Sequence, residues 1–285
     1  MPEPSAGRPA GPQSPSAPEP LRCVLTIATS DSGAGAGLQA DLKTFAALKV
    51  YGLSAVSAVT AQNSLAVTAL ECLSPAMVRA QLLALDDDFP IGAIKIGLLG
   101  NAANTRIVAD FLREKYERGP VVLDPVMVSA SGHRFLPPEA VEALKELMKL
   151  ATVVTPNLPE AGVLSGLEIK SDEERLKAAE KLLALGAGSV LIKGGHGRGE
   201  AADDLLWGPD GPLWIRGPRI YTPNTHGTGC TLSSALAAYL AKGRSLPEAA
   251  SLAKDYVTLG LRHSLKPGRG PGPLNHFHQY YLLES

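Results

Sequence analysis

The sequence lacks a long apolar run, an excess of charge of one sign and a cysteine framework. No apolar stretch approaches the length of a membrane span. The formal net charge of -1 gives no general electrostatic reason to expect nucleic acid or an anionic membrane as a partner. Its three cysteines, an odd number in 285 residues, argue against disulfides and favour a reducing compartment, so we expect a cytoplasmic protein. A small-molecule ligand fits this composition better than a polymer does.

The chain divides into a tail and one expected domain. Residues 1–20 are dense in Pro, Ser and Ala and lack the apolar core of a signal peptide, which predicts a disordered tail. Over residues 21–285, strands alternate with helices and no composition break marks a second domain. This alternation predicts a single α/β domain, with a mainly parallel central sheet and helices on both faces. Residues 204–207 and 213–216 flank a Gly/Pro-rich turn and predict an antiparallel hairpin at one edge.

A glycine-containing stretch precedes an apolar run that predicts a helix. Residues 224–231 read Asn-Thr-His-Gly-Thr-Gly-Cys-Thr, and residues 232–240 continue with helical spacing. Gly227 and Gly229 free the backbone to turn N–H groups toward one point, where the positive end of the helix also acts. This pattern predicts an anion site, with Cys230 as a candidate base whose pKa the helix start lowers. The alternative is a Gly-rich turn capped by threonine before a buried helix.

A second glycine-rich loop follows the first predicted strand. Residues 21–28 are apolar and β-branched, and Gly33, Gly35 and Gly37 follow before a predicted helix. A strand, a glycine loop and a helix also occur in dinucleotide-binding folds. The spacing here is G-x-G-x-G rather than G-x-G-x-x-G, and no acidic residue ends the following strand. We therefore discount dinucleotide binding.

Several ordered segments resemble one family of small-molecule kinases. The stretch 224–231 resembles the Gly-(Ala/Thr)-Gly-(Asp/Cys) element of ribokinase-like kinases. Further similar segments are Thr-Ile-Ala-Thr-Ser-Asp-Ser at 26–32, Gly-Leu-Gln-Ala-Asp-Leu-Lys-Thr-Phe at 37–45, Ala-Gln-Asn at 61–63, Lys-Gly-Gly-His at 193–196 and the terminal segment 268–277. Together they resemble the hydroxymethylpyrimidine and phosphomethylpyrimidine kinases of thiamin biosynthesis, over about residues 25–277.

This resemblance implies a fold and a reaction. The fold would be a ribokinase-like three-layer α/β/α sandwich with a mainly parallel central sheet and an antiparallel edge. The reaction would be the ATP-dependent phosphorylation of 4-amino-5-hydroxymethyl-2-methylpyrimidine, and then of its monophosphate, with Mg²⁺ bridging the phosphates. A potassium ion and a homodimer are further expectations of the family.

The resemblance also implies roles for individual residues. The catalytic group consists of Gly227, Thr228, Gly229 and Cys230. The substrate-binding group consists of Thr29, Ala36, Asp41, Thr60, Gln62 and Leu98. ATP and its phosphates are assigned to Asn157, Glu160, Lys193 and Thr225. Mg²⁺ is assigned to Asp124 and Glu160.

Taken alone, several of these positions also have a purely structural explanation. Asp124 ends a predicted buried strand, where open parallel sheets bind ligands, but it could equally serve as a cap or in a salt bridge. Asn157 and Glu160 follow another predicted strand as N-x-x-E, which alone indicates a helix start with an acidic first turn. Asp41 alone would be an exposed helix charge, and Gln62 a polar strand end.

The chain departs from the usual family pattern at five positions. Thr29 and Ala34 stand where glycine is usual and add bulk near the expected substrate. Ala130 replaces a lysine and His133 an aspartate, so any charge that this lysine brings to a phosphate is absent. Arg269 replaces a histidine. The departures at Thr29, Ala130 and His133 leave a non-catalytic, ligand-sensing relative as an alternative.

Gln62 bears on the choice of substrate. An aminopyrimidine presents a ring nitrogen acceptor beside an amine donor, and a carboxamide can meet that pair with one donor and one acceptor. Pyridoxal has a phenolic oxygen and no such amine. Gln62 therefore favours the pyrimidine, and pyridoxal or pyridoxine kinase activity is the nearest alternative.

Overall fold

The computed structural model describes residues 21–116, 119–127, 138–197 and 199–280. The predicted tail at 1–20 and the departures at Ala130 and His133 lie outside these residues. Among the helices of the described part, none is long and apolar enough to cross a membrane. The elements, in chain order, are β1 Cys23–Asp31, α1 Gly37–Ala47, β2 Tyr51–Gln62, β3 Val67–Cys72, α2 Pro75–Asp88, β4 Ile91–Ile96, α3 Ala102–Lys115, β5 Val121–Leu123, α4 Pro138–Met148, β6 Val153–Val154, α5 Leu158–Ser165, α6 Asp172–Ala184, β7 Val190–Ile192, β8 Asp204–Gly208, β9 Gly211–Ile215, α7 Thr228–Ala241 and α8 Leu246–Arg262.

The strands form one sheet in the order β3-β2-β1-β4-β5-β6-β7-β8-β9. The strands from β2 to β7 in this order pair in parallel. The hairpin of β8 and β9 joins β7 in antiparallel fashion, as predicted. At the opposite edge β3 pairs antiparallel to β2, and this strand was not predicted. All six of its residues are at least partly exposed, so its sequence lacks the continuous apolar run of a buried strand.

Helices cover both faces of the sheet and define two cores. Helices α1, α7 and α8 pack on one face, and α2 to α6 on the other. Val24 and Leu25 are neighbours on β1 and are both fully buried, but they belong to opposite cores because successive side chains of a strand alternate. The predicted three-layer α/β/α sandwich is confirmed.

The carboxyl ends of the central parallel strands meet at one edge of the sheet. β1 ends at Asp31 and β7 ends just before Lys193. Asp124 directly follows β5, one residue beyond the strand, and its backbone N–H donates to the carbonyl of Ile96 at 2.8 Å. The start of α7 reaches the same edge, where Gly229 lies close to Lys193. Open parallel sheets bind ligands at such an edge.

Candidate active site

A cavity of about 730 Å³ lies at the carboxyl edge of the sheet. The predicted site residues that line it are Thr29, Ala36, Thr60, Gln62, Leu98, Asp124, Asn157, Glu160, Lys193, Thr225, Gly227, Thr228, Gly229 and Cys230. Asp41 does not line it. The structure therefore brings together residues that are far apart in the sequence, including both glycine-rich loops.

Helix α7 begins with a glycine that its surroundings require. Gly227 has a φ of 77°, in the left-handed region, and a Cβ there would lie 1.9 Å from the carbonyl oxygen of Gly35. At Gly229 a Cβ would lie 3.2 Å from the Nζ of Lys193. Because the first N–H groups of a helix have no intrahelical acceptor, this turn offers donors and the positive end of the helix to an anion in the cavity.

Two buried carboxylates share one lysine below this turn. Lys193 Nζ donates to Asp124 Oδ1 at 2.8 Å and lies 3.9 Å from Glu160 Oε2. Asp124 is 1% exposed and Glu160 7%. Burial raises the pKa of Glu160 to about 7, against the attraction of Lys193 and with a further contribution from the Asp124 charge. The single ammonium of Lys193 therefore does not balance the negative charges of both carboxylates, and burial favours a proton on Glu160.

The oxygen donors of Asp124 and Glu160 fit Mg²⁺. Mg²⁺ prefers oxygen ligands, keeps several of its waters and is held by one or two carboxylates plus substrate phosphates. A cation beside Glu160 would also favour the ionised carboxylate that burial disfavours. Within the described ranges, no group of three or more His, Cys, Asp or Glu side chains is arranged to hold a metal. These two carboxylates would therefore share the ion with water and phosphate oxygens.

The structure corrects the expected place of Asp41. This residue is fully buried beneath the cavity rather than exposed on its helix or facing a ligand. Its carboxylate accepts from Lys95 Nζ at 2.7 Å and from the hydroxyl groups of Thr26 and Ser234 at 2.6 Å each. These partners tie α1 and α7 to β1 and β4. Asp41 supports the floor of the site and does not present a free group to a substrate.

The pKa of Cys230 shifts in the opposite direction to the one predicted. Burial raises the pKa of the thiol to about 11, although the ammonium of Lys95 and a hydrogen bond from the backbone N–H of Gly37 act to lower it. Removal from water thus outweighs the favourable groups around the sulfur. Cys230 is itself partly exposed at the wall of the cavity, and in the free protein this shift favours the protonated thiol.

The departures at Thr29 and Ala34 have different consequences. The Thr29 hydroxyl donates to the carbonyl of Leu98 at 2.8 Å, so its polar group is bound to the protein wall. Ala34 has a φ of 57°, in the region that favours glycine, which accounts for the usual residue there. Arg269 is exposed and lies outside the lining of the cavity.

The N-x-x-E segment is a capping box. The backbone N–H of Glu160 donates to Asn157 Oδ1 at 2.9 Å, and the N–H of Asn157 donates to Glu160 Oε2 at 2.8 Å. The helix-start interpretation is thus confirmed. The capping box also holds Glu160 beside Lys193. The helix start and the expected role near Mg²⁺ and phosphate are therefore compatible.

The structure gives roles to Asp31 and His226, which the sequence analysis left without one. Asp31 lines the cavity, accepts from the N–H groups of Gly33, Gly35 and Ala36, and lies 2.9 Å from the Nε2 of His226. Burial would raise the pKa of Asp31, but these hydrogen bonds and His226 outweigh it and lower the pKa. An aspartate before a Gly-rich turn is a recognisable turn signal, whereas nothing in the sequence pairs it with His226.

Arg219 holds the loop that follows β7. Its guanidinium donates to the carbonyls of Gly195 at 2.6 Å, Gly199 at 2.6 Å and Ala201 at 3.0 Å. Gly195, Ala202 and Arg219 itself line the cavity beyond Lys193. Gln62, the last residue of β2, lines the same cavity.

The fold and the site define a class of protein. A helix start that offers N–H donors, a lysine between two carboxylates and a cavity at the carboxyl edge of an α/β/α sandwich are the parts that phosphoryl transfer to a small molecule requires. The protein is a ribokinase-like phosphotransferase.

Comparison with known proteins specifies the family. The phosphomethylpyrimidine kinase family model matches residues 31–275. The hydroxymethylpyrimidine/phosphomethylpyrimidine kinase of Rhizobium meliloti is 49% identical over 264 residues, which cover 90% of this chain and 98% of that protein. The chain belongs to the phosphomethylpyrimidine kinase family.

Two solved structures show the same fold. Pyridoxal kinase of Bacillus subtilis, in complex with ADP, superposes with a TM-score of 0.85 at 39% identity, covering 91% of this chain and 99% of that one. Phosphomethylpyrimidine kinase of Clostridium difficile superposes with a TM-score of 0.74 at 42% identity, covering 83% and 98%. Both pyrimidine and pyridoxal kinases are therefore similar to this chain.

Proposed function

We propose that this protein transfers the γ-phosphoryl group of ATP to 4-amino-5-hydroxymethyl-2-methylpyrimidine, and then to its monophosphate, in thiamin biosynthesis. The observation that carries the proposal is the arrangement of one cavity, in which the start of α7 and Lys193 lie together and a carboxamide, Gln62, lines the same space. Family membership supports the choice of reaction.

The chain's own groups account for the transfer step. The N–H groups at Gly229 and Cys230 hold the transferring phosphoryl group, and Lys193 adds a positive charge next to them. Mg²⁺, when bound at Asp124 and Glu160, supplies charge neutralisation at the phosphates. ATP occupies the part of the cavity near Arg219.

Cys230 is the candidate base for the substrate hydroxyl. A thiol with a pKa near 11 is a weak acid, so its thiolate, once formed, is a strong proton acceptor. Phosphoryl transfer has a loose transition state in which the nucleophile loses its proton late, so positioning contributes more than early deprotonation. A protonated thiol cannot accept this proton, so Cys230 must first release its own proton to solvent, which the ammonium of Lys95 and the backbone N–H of Gly37 favour. The thiolate then accepts the proton of the substrate hydroxyl as that oxygen bonds to the γ-phosphorus and the bond from phosphorus to the ADP oxygen breaks.

Gln62 orients the pyrimidine. It is partly buried and lines the cavity with Thr29, Thr60 and Leu98. Its carboxamide matches the amine and ring nitrogen of an aminopyrimidine, and a site that satisfies these groups penalises an analogue that leaves them unpaired. A potassium ion, a homodimer and a cytoplasmic location stay predictions from the family resemblance and the cysteine content.

Pyridoxal kinase activity is the second candidate, because the Bacillus subtilis enzyme of that name is similar over almost its whole length. A side-by-side assay separates the two. The purified protein is incubated with ATP and Mg²⁺ and with the pyrimidine, its monophosphate or pyridoxal, and the phosphorylated product is identified by mass. We expect the highest kcat/KM for the pyrimidine compounds. Absence of turnover on all three would favour the ligand-sensing alternative.

A further inference from the structure

Gln62 has two polar neighbours, one on each side of its carboxamide. Its Nε2 lies 3.4 Å from the Nε2 of His226, and its Oε1 lies 3.3 Å from the Oγ1 of Thr60. All three side chains line the cavity. Whether these contacts are favourable depends on which atoms carry protons.

The proton of His226 is fixed by Asp31. The Nε2 of His226 lies 2.9 Å from Asp31 Oδ2, and an ionised carboxylate only accepts hydrogen bonds. The Nε2 atom therefore carries a proton and donates it to Asp31. Asp31 is in turn fixed by the N–H groups of Gly33, Gly35 and Ala36. Toward Gln62, His226 offers no lone pair, only a share of the N–H that it donates to Asp31.

The proton of Thr60 is fixed by Ser30. The Thr60 hydroxyl donates to the carbonyl oxygen of Ser30 at 2.9 Å. A hydroxyl has a single proton, so Thr60 can offer only a lone pair toward Gln62. The contact of Thr60 with the carboxamide oxygen is thus acceptor against acceptor, and that of His226 with the carboxamide nitrogen is donor against donor.

A half-turn of the carboxamide removes both conflicts. The nitrogen then donates to Thr60, and the oxygen faces the Nε2–H of His226 as a second, longer acceptor that shares this proton with Asp31. The two ends are almost isosteric, so the exchange needs no movement of the backbone. We propose that His226, held by Asp31, and Thr60 are positioning residues that lock the Gln62 carboxamide with its oxygen toward His226 and its nitrogen toward Thr60.

The lock dictates how a substrate can bind. With its flanks occupied, Gln62 presents one oxygen lone pair and one N–H to the cavity. A substrate must place a donor on the His226 side and an acceptor on the Thr60 side. An aminopyrimidine meets this order with its amine toward His226 and its ring nitrogen toward Thr60. The identity of this substrate rests on the proposed function, but the lock itself does not.

A substrate with the reversed order tests the lock. 5-Hydroxymethyl-2-methylpyrimidin-4-one, in its 3-NH form, has an acceptor where the amine donor stood and a donor where the ring nitrogen stood. It would need the opposite orientation of Gln62, which His226 and Thr60 oppose. We expect wild type to favour the amine over this analogue by at least about 100-fold in kcat/KM.

Two matched substitutions at His226 separate donation from bulk. His226→Met fills similar space without a donor, and His226→Gln restores an N–H at a similar reach. His226→Met should lower the ratio of kcat/KM for the aminopyrimidine over the pyrimidinone at least about tenfold, because the Gln62 carboxamide becomes free to turn. His226→Gln should keep most of this ratio. Thr60→Val and Thr60→Ser form the same kind of pair. An active wild type whose ratio is equal in both His226 variants would overturn the lock.

A measurement on the wild-type protein needs neither activity nor a variant. Long-range ¹H–¹⁵N correlations of His226 should show a protonated Nε2. The Gln62 amide protons should show contacts to the Thr60 methyl group rather than to the His226 ring. An unprotonated Nε2, or amide protons next to the His226 ring, would overturn the lock. If wild type phosphorylates neither pyrimidine, the proposed function fails and this spectrum alone decides the inference.

Discussion

Replacing Lys95 with methionine should destabilise the protein strongly, because it leaves a buried charge without its partner. Lys95 and Asp41 both have side chains that are 0% exposed. The ammonium donates to both carboxylate oxygens, at 2.7 and 2.9 Å. Removing one member of a buried ion pair costs about 3–5 kcal/mol in free energy of unfolding. We expect the lower end, since the hydroxyl groups of Thr26 and Ser234 still donate to Asp41.

Urea unfolding at pH 7 measures this loss, and a surface pair of the same chain provides the control. Lys170 and Glu168 lie 2.8 Å apart with side chains 69% and 76% exposed, so Lys170→Met should leave the free energy of unfolding nearly unchanged. Adding Asp41→Asn to Lys95→Met should recover part of the loss, because an uncharged amide costs less to bury. A loss below about 1 kcal/mol for Lys95→Met would refute the reasoning.

Four further predictions concern Cys230 and the two carboxylates assigned to Mg²⁺. Cys230→Ala should lower kcat by about 10²–10⁴-fold with little change in ATP binding, and near-normal turnover would eliminate its role. Alkylation of Cys230 in the free protein should accelerate with pH toward about 11, and a plateau below the ordinary thiol value of 9.0 would contradict the burial effect. Asp124→Asn and Glu160→Gln should each raise the Mg²⁺ concentration for half-maximal activity, and wild-type Mg²⁺ dependence in both would show the assignment wrong. Because burial raises the pKa of Glu160 from 4.5 to about 7, the folded state binds its proton more tightly, so without Mg²⁺ this group makes stability decline as the pH rises through that window. An unchanged pH profile of unfolding in Glu160→Gln would oppose this.

The fold was largely predictable because its signals are local. Alternating strands and helices, the 204–216 hairpin and the glycines of the α7 start each follow from composition over a few residues. The strand β3, at Val67–Cys72, could not be predicted from its own residues. As an edge strand it takes its structure from pairing with β2 rather than from an apolar pattern of its own.

Part of the cavity lining could be predicted, because strand ends and family motifs indicate residues such as Asp124, Glu160 and Gln62. The lining residues Asp31, His226 and Arg219 were missed, and the electrostatics of the site could not be predicted. The burial of Asp41 depends on Lys95, 54 positions away in sequence, and the pairing of Asp31 with His226 spans 195 positions. The raised pKa of Cys230 depends on how much water the folded chain excludes, which no local pattern encodes.

The central claim is that this site recognises an aminopyrimidine through Gln62 and phosphorylates it. The most direct measurement is the ratio of kcat/KM for the hydroxymethylpyrimidine over pyridoxal, in wild type and in Gln62→Met. Wild type should prefer the pyrimidine, and the substitution should cost the pyrimidine about 1–3 kcal/mol more than pyridoxal, the value of a good bidentate pair. An equal loss for both substrates, or a wild type that already prefers pyridoxal, would contradict the account.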